Sequence, residues 1–217
     1  MPRTALVTGG TRGIGAAISM ALKDAGYKVA ANYAGNDDAA RGFNAETGIP
    51  VYKWSVADYD ACAAGIAQVE ADLGPVEVLV NNAGIFLPHP FEDTPYEDWL
   101  QTWQRTINTN LTGAAVAAYS AVAYMKQQGF GKIINVGSRG AFRGEAGQPG
   151  YGASKAGLHA MGQSLAQALG PLGITVHTVA PGFVETAMAR PHLQGEAGEA
   201  VKRQSPLHRV ATVQDVA

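Results

Sequence analysis

A doubly wound α/β fold, a mostly parallel sheet covered by helices on both faces, is what this sequence predicts, and three observations carry it. Short β-branched runs alternate with longer stretches of helical periodicity; a glycine-rich loop follows the first run and opens the first helix; and glycines recur where the early helices should end. In chain order the strand candidates are TALVT at 4–8, KVAANY at 28–33, VYKW at 51–54, VEVLV at 76–80, KIINV at 132–136 and ITVHTV at 174–179. Each is short, apolar and set off by turn-forming residues, as buried strands are. The helices expected between them cover 14–25, 37–47, 58–73, 96–128 and 150–170. Gly26, Gly48 and Gly74 fall at the ends of the first three, where a left-handed residue closes a helix. The chain of 217 residues reads as one domain, with no internal repeat, low-complexity segment or linker.

Composition excludes several function classes. With 47% hydrophobic and 16% charged residues the chain can bury one sizeable core. A formal net charge of −2, with no block of like charges, offers no electrostatic footprint for nucleic acid. No run reaches the length of a membrane span and the N-terminus lacks the features of a signal peptide, so a soluble cytoplasmic protein with no membrane partner is expected. The one cysteine, Cys62, cannot form an internal disulfide and reads as a buried helix residue. Histidines at 89, 159, 177, 192 and 208 lack metal-ligand spacing, so no metal site is expected. Trp99 and Trp103, four apart, read as helix packing.

Ligands on such sheets bind beyond the carboxyl ends of the strands, near the point where strand order reverses. The first loop there is TGGTRGIG at 8–15. Gly9, Gly13 and Gly15 allow a tight turn, close approach to a pyrophosphate and helix-to-sheet packing, while free amides at the helix start attract phosphate. The second strand ends in ANYAGN, with Tyr33 in the critical region and no acid before Asp37 to bind a ribose hydroxyl. Arg12 can pair with a 2′-phosphate instead, so NADPH is expected over NADH. Farther on, YGASK at 151–155 puts Tyr151 and Lys155 one helical turn apart, on the same face.

TGGTRGIG at 8–15, NNAG at 81–84, NTNLTG at 108–113, Ser138, YGASK at 151–155 and PGFVET at 181–186 occur in an order that resembles the short-chain dehydrogenase/reductase family over nearly the whole chain. The resemblance implies a Rossmann-like sheet, a small-molecule carbonyl substrate, and a homodimer or homotetramer paired through the helix at 150–170, whose Ala153, Ala156, Gly157 and Ala160 are small. It implies a catalytic tetrad of Asn110, Ser138, Tyr151 and Lys155. Tyr151 would protonate the developing alkoxide, and the Lys155 ammonium would draw its pKa of about 10 toward the working pH. Ser138 would polarise the carbonyl. Asn110, poorly suited to a helix interior, would distort its helix and hold a water that relays protons to Lys155. By the same resemblance the cofactor would touch Gly9, Thr11, Arg12, Gly13, Ile14, Gly15, Tyr33, Val56, Asn82, Ala83, Gly84, Tyr151, Lys155, Pro181, Gly182, Val184 and Thr186.

Two departures from the family stand out. Ser55 occupies the position after the third strand where an acid commonly holds the adenine amine, at a cost of about 0.5–1.5 kcal/mol. The chain ends at VQDVA, where the family continues through a further helix and seventh strand; their absence would expose the edge of the sixth strand. The first 84 residues resemble the acetoacetyl-CoA reductases, which reduce a 3-oxoacyl thioester, whereas the segments from Ile85 onward look like general members of the family, as in a hybrid. Substrate contacts are expected from Gly140, Ala141 and Phe142 and from 188–209, with no Arg or Lys marking a CoA phosphate site. The readings left open are a carbonyl reductase, a general NAD(P)-dependent alcohol dehydrogenase, and a nucleotide-binding module with little turnover.

Overall fold

The computed structural model describes residues 2–217. Six strands form one parallel sheet in the order β3-β2-β1-β4-β5-β6. They are β1 (Thr4–Val7), β2 (Lys28–Tyr33), β3 (Val51–Lys53), β4 (Val76–Asn81), β5 (Gly131–Val136) and β6 (Ile174–Val179). Chain order reverses between β1 and β4, so the loops leaving these two strands open side by side. Strand alternation splits the core into two layers. Leu6 and Leu79 face a cluster with Ile66, Ala117, Met125 and Ile133, while Val7, Val78 and Val80 face another with Ile18, Phe43 and Ile49. Sheets buried on both faces take such continuous apolar strands.

The flanking helices are α1 (Gly13–Asp24), α2 (Asp37–Thr47), α3 (Tyr59–Leu73), α4 (Tyr96–Ile107), α5 (Gly113–Gln128), α6 (Gly140–Arg143), α7 (Pro149–Leu169) and α8 (Gly195–Arg203). The first three match the sequence pattern to within a residue. Asn36 and Asp58 cap α2 and α3, each accepting an amide three residues on. The expected helix over 96–128 is instead two helices joined by a π-turn at Asn108–Thr112. The widened turn holds Asn110, and Gly113 just beyond packs so closely on the loop after β3 that a Cβ there would lie 2.6 Å from the Val56 carbonyl oxygen. A bulge in the helix re-aims both groups without ending it. The short α6 and the polar α8 carry too few apolar repeats to be read from the sequence.

β6 forms an edge of the sheet, where Val179 is 39% exposed. Trp99 and Trp103 stack on each other at 5.3 Å. Cys62 is buried, which pushes its thiol up to about 11. Gly157 packs inside the subunit, since a Cβ there would meet Leu111 at 2.8 Å, whereas Ala153, Ala156 and Ala160 are exposed. Among the described residues no helix is long and apolar enough to cross a membrane, and no group of three metal-ligating side chains converges.

One buried acid is poorly satisfied. Glu70 on α3 accepts the Val76 amide at 3.4 Å through Oε1, while Oε2 has no partner within hydrogen-bond distance among the described residues, and burial, only partly opposed by Val76 and Tyr124, pushes its carboxyl up to about 7. Between its ordinary 4.5 and about 7 the folded chain holds a proton that the unfolded chain has released, so stability falls as pH rises through that window. Glu70→Gln is expected to raise stability by about 1–2 kcal/mol above pH 7 and to flatten that slope. Urea unfolding from pH 5 to 8 checks this, and an unchanged slope would refute it.

Candidate active site

The loops after β1, β2, β4, β5 and β6 enclose a cleft of about 610 Å³ at the carboxyl edge of the sheet. Its glycine end is built by backbone geometry. Gly9 and Gly13 take φ of +64° and +53°, and a Cβ on Gly15 would lie 2.1 Å from the Gly9 carbonyl oxygen. Only glycine lets α1 start this close to β1. The Asn82 amide donates to the carbonyls of Thr8 and Gly9 at 2.9 and 3.1 Å, and the Thr8 hydroxyl accepts the amides of Asn82 and Ala83. The NNAG segment therefore clamps the glycine loop. Arg12, the N-cap of α1, makes no side-chain cap, and the first turn contains no acid. The uncapped amides of this helix start lie at the cleft, where they suit phosphate oxygens.

Beside this end lie Tyr33, Ala34, Gly35 and Asn36 from the loop after β2. Asp37, the first acid beyond β2, is paired with Lys53 at 2.8 Å, and this partner holds its carboxyl below the usual value. Ser55 and Val56 line the same end, with the Ser55 hydroxyl accepting the Ala57 amide at 3.2 Å. Pro181, Gly182, Val184 and Thr186 form a wall above. Thr186 closes over the glycine loop, its methyl 3.5 Å from where a Cβ on Gly13 would stand. Val184 bridges to Ala211, which anchors this wall to the C-terminal segment. Each residue expected to touch the cofactor, from Gly9 to Thr186, lines this one cleft.

At the other end α7 presents Tyr151 and Lys155, and the loop after β5 presents Ser138. Lys155 is buried, donates from Nζ to the Val136 carbonyl at 2.8 Å, and is pulled down to about 8 by burial. Its Nζ stands 5.8 Å from the Tyr151 ring centre. The Tyr151 phenol does not shift downward as the sequence led us to expect. Burial pushes it up, Ser138 opposes that rise and the Glu145 carboxylate adds to it. Desolvation of the phenolate dominates because the ammonium is directed at Val136.

Asn110 does not line the cleft. It is buried behind it, accepting the Ile85 amide at 2.8 Å and donating to the Ile85 carbonyl at 2.9 Å and to Ser154 at 3.2 Å. Gly84 lies between the two, where a Cβ would be within van der Waals distance of both Asn110 Oδ1 and Lys155 Nζ.

The outer wall corrects another expectation. Gly140, Ala141 and Phe142 are not part of it; Phe142 is 77% exposed and packs on His159. Phe86 and Phe183 take their place, with the Phe86 ring edge-on to Tyr151 at 4.7 Å, while Met188, Ala189 and His192, within the expected 188–209, do line the cleft. The four-residue α6 turns its side chains away from the cleft, and this is why spacing after Ser138 misled. Arg139 also lines the cleft; it and Arg143 donate to the Gln204 side-chain oxygen at 2.7 and 2.9 Å, a pair of cations the sequence reading passed over. His159, one turn beyond Lys155, accepts the Ser138 amide at 3.4 Å.

Comparison with known proteins agrees with this fold. The short chain dehydrogenase family model matches residues 3–197. Acetoacetyl-CoA reductase of Shinella zoogloeoides is 50% identical over 218 residues, spanning 100% of this chain and 88% of the relative. That of Rhizobium meliloti is 48% identical over the same shares, and the likeness thus runs past residue 84 to the end of the chain. The 3-oxoacyl-[acyl-carrier-protein] reductase FabG of Staphylococcus aureus is 37% identical over 222 residues, with 100% of this chain and 88% of the relative covered. Among solved structures, gox2181 superposes with a TM-score of 0.91 at 28% identity, covering 99% of this chain and 85% of that one.

Proposed function

The chain belongs to the short chain dehydrogenase family and is an oxidoreductase, and from that premise we propose that it reduces a 3-oxoacyl thioester such as acetoacetyl-CoA to the 3-hydroxyacyl thioester, with NADPH as reductant. The observation that carries the reading is one continuous cleft with the uncapped, glycine-rich start of α1 at one end and Ser138, Tyr151 and Lys155 at the other. The residues at the glycine end fit a dinucleotide: two left-handed glycines, uncapped amides, and Arg12 free of an acidic partner among the described residues. The bound nicotinamide supplies the hydride.

The protein's part is to bind, orient and protonate. Ser138 donates to the ketone oxygen and stabilises the charge that develops there. The Tyr151 hydroxyl gives that oxygen its proton, so hydride at carbon and proton at oxygen together make the secondary alcohol. A phenol kept protonated by burial is suited to donation. Lys155 holds positive charge beneath this pair and Asn110 fixes the loop at Ile85 against it. Phe86, Phe183 and Met188 give the acyl chain an apolar wall. The exposed face of α7 at Ala153, Ala156 and Ala160 suits close pairing with a second copy.

Loss of nicotinamide absorbance on mixing the purified chain with acetoacetyl-CoA and NADPH, then with NADH, tests the proposal. Turnover with NADPH well above NADH is expected. Binding of NADPH without turnover of any 3-oxoacyl thioester would leave a nucleotide-binding module instead. Arg12→Ala is expected to weaken NADPH binding by about 10- to 100-fold, the range of a lost charge-assisted hydrogen bond, and to leave NADH within about twofold. Fluorescence titration measures both, and an equal loss for the two cofactors would refute the role of Arg12.

A further inference from the structure

Helix α7 carries Tyr151 and Lys155, yet its N-cap, Gln148, makes no side-chain cap bond. Amides in a first helical turn need acceptors from elsewhere. The Gly150 amide, next to Tyr151, finds one in Nε2 of His89 at 3.0 Å. His89 comes from the loop between β4 and α4 and is fully buried. Its Nδ1 lies 2.8 Å from the Leu87 carbonyl oxygen. A carbonyl only accepts, so Nδ1 carries the ring proton and Nε2 keeps the lone pair that Gly150 uses.

The contact is built from both sides. The His89 amide donates to the Gly147 carbonyl at 2.9 Å, which ties the loop to the approach of α7. The Trp99 ring stands 6.2 Å from the imidazole and stacks in turn on Trp103. Gly150 makes the approach feasible, because a Cβ there would fall 2.9 Å from His89 Nε2 and 3.3 Å from Trp103. The same loop binds Asn110 through Ile85 and lays Phe86 against the Tyr151 ring.

We propose that His89 is a positioning residue for the reaction: its imidazole caps α7 through the Gly150 amide and so sets where the Tyr151 hydroxyl stands relative to Ser138. Its kinetic consequence rests on the reading of Tyr151 as proton donor; the cap itself does not.

His89→Leu removes the acceptor at similar volume, whereas the amide oxygen of His89→Gln can reach the place of Nε2 and accept from Gly150. With acetoacetyl-CoA and NADPH, His89→Leu is expected to lower kcat about tenfold with KM for NADPH within about twofold, as for a displaced catalytic group. His89→Gln should stay within about threefold of the unaltered chain. Carbon-13 NMR of labelled tyrosine, with Tyr151 assigned by its missing signal in Tyr151→Phe, reads the site without turnover. The Tyr151 titration should move toward the ordinary tyrosine value in His89→Leu and stay in place in His89→Gln. In the unaltered chain the Gly150 amide should be protected from hydrogen exchange. The proposal is overturned if the two variants behave alike, if Tyr151 titrates unchanged in His89→Leu, or if the Gly150 amide exchanges as a free one. Absence of turnover in the unaltered chain would sink the reductase reading alone, since titration and exchange still decide the cap. If His89→Leu does not fold, His89→Gln and the exchange measurement decide it.

Discussion

Tyr151→Phe is expected to lower kcat for thioester reduction by about 10³-fold or more while NADPH binding stays within about twofold. General acid catalysis by a placed side chain contributes about 10²–10⁴-fold. The substitution isolates the hydroxyl, because the edge-on packing against Phe86 at 4.7 Å involves only the ring, which phenylalanine retains. The lost interaction belongs to the transition state, so the deficit should appear in kcat and kcat/KM alike. Steady-state kinetics with a parallel fluorescence titration checks this. A variant retaining more than about a tenth of the activity would remove Tyr151 as the proton donor.

Lys155→Met is expected to abolish most turnover, by about 10²-fold, and to change stability in the opposite sense at neutral pH. The ammonium is buried, with only the Val136 carbonyl at 2.8 Å as hydrogen-bond partner among the described residues, and its pKa is pulled down from 10.5 to about 8. Below about pH 8 the folded chain bears the full cost of that buried charge. Between about 8 and 10.5 the folded chain has released a proton that the unfolded chain still binds, so the lysine's penalty fades as pH rises. The whole effect is of order 3 kcal/mol, offset by about 1–3 kcal/mol for the orphaned Val136 carbonyl. The variant should therefore match or exceed the unaltered chain in stability at pH 7 and lose ground by pH 10. Comparing the two by denaturant unfolding cancels the opposite trend of Cys62, whose thiol is raised to about 11. A stability difference independent of pH would mean that Lys155 is not a buried cation.

The two residues illustrate one division of labour. On the proposed mechanism, turnover depends on groups whose burial the fold bears at a cost, whereas Glu70 lies in the packing between α3 and β4, is not among the residues lining the cleft, and has one oxygen without a partner among the described residues. Relief at Glu70 should therefore be neutral for turnover, and relief at Lys155 should not. Arg139, held by Gln204 beyond α8 and paired with Glu145 at 3.9 Å, brings a cation to the cleft wall that the loop sequence after Ser138 did not reveal.

What the sequence determined by itself is whatever depends on short-range pattern. Strand and helix alternation yields a parallel sheet because each helical crossover returns the chain to the same edge and covers a face, which suits short, wholly apolar strands. The left-handed glycines and the order of the motifs bring Gly9 through Thr186 to the same strand ends, since parallel crossovers return each loop to one edge. The i, i+4 spacing of Tyr151 and Lys155 likewise follows from helical geometry alone. Tertiary structure decided what depends on packing between distant segments. The π-turn at Asn108–Thr112 arises where Asn110 finds its partners at Ile85 and Ser154, 25 and 44 residues away. The Tyr151 phenol rises instead of falling, because desolvation is set by everything that surrounds it, and the nearby ammonium is directed at Val136. The aromatic outer wall and the cap that His89 places on α7 are invisible in any window of sequence, because each joins residues that only the closed sheet brings within a few ångströms.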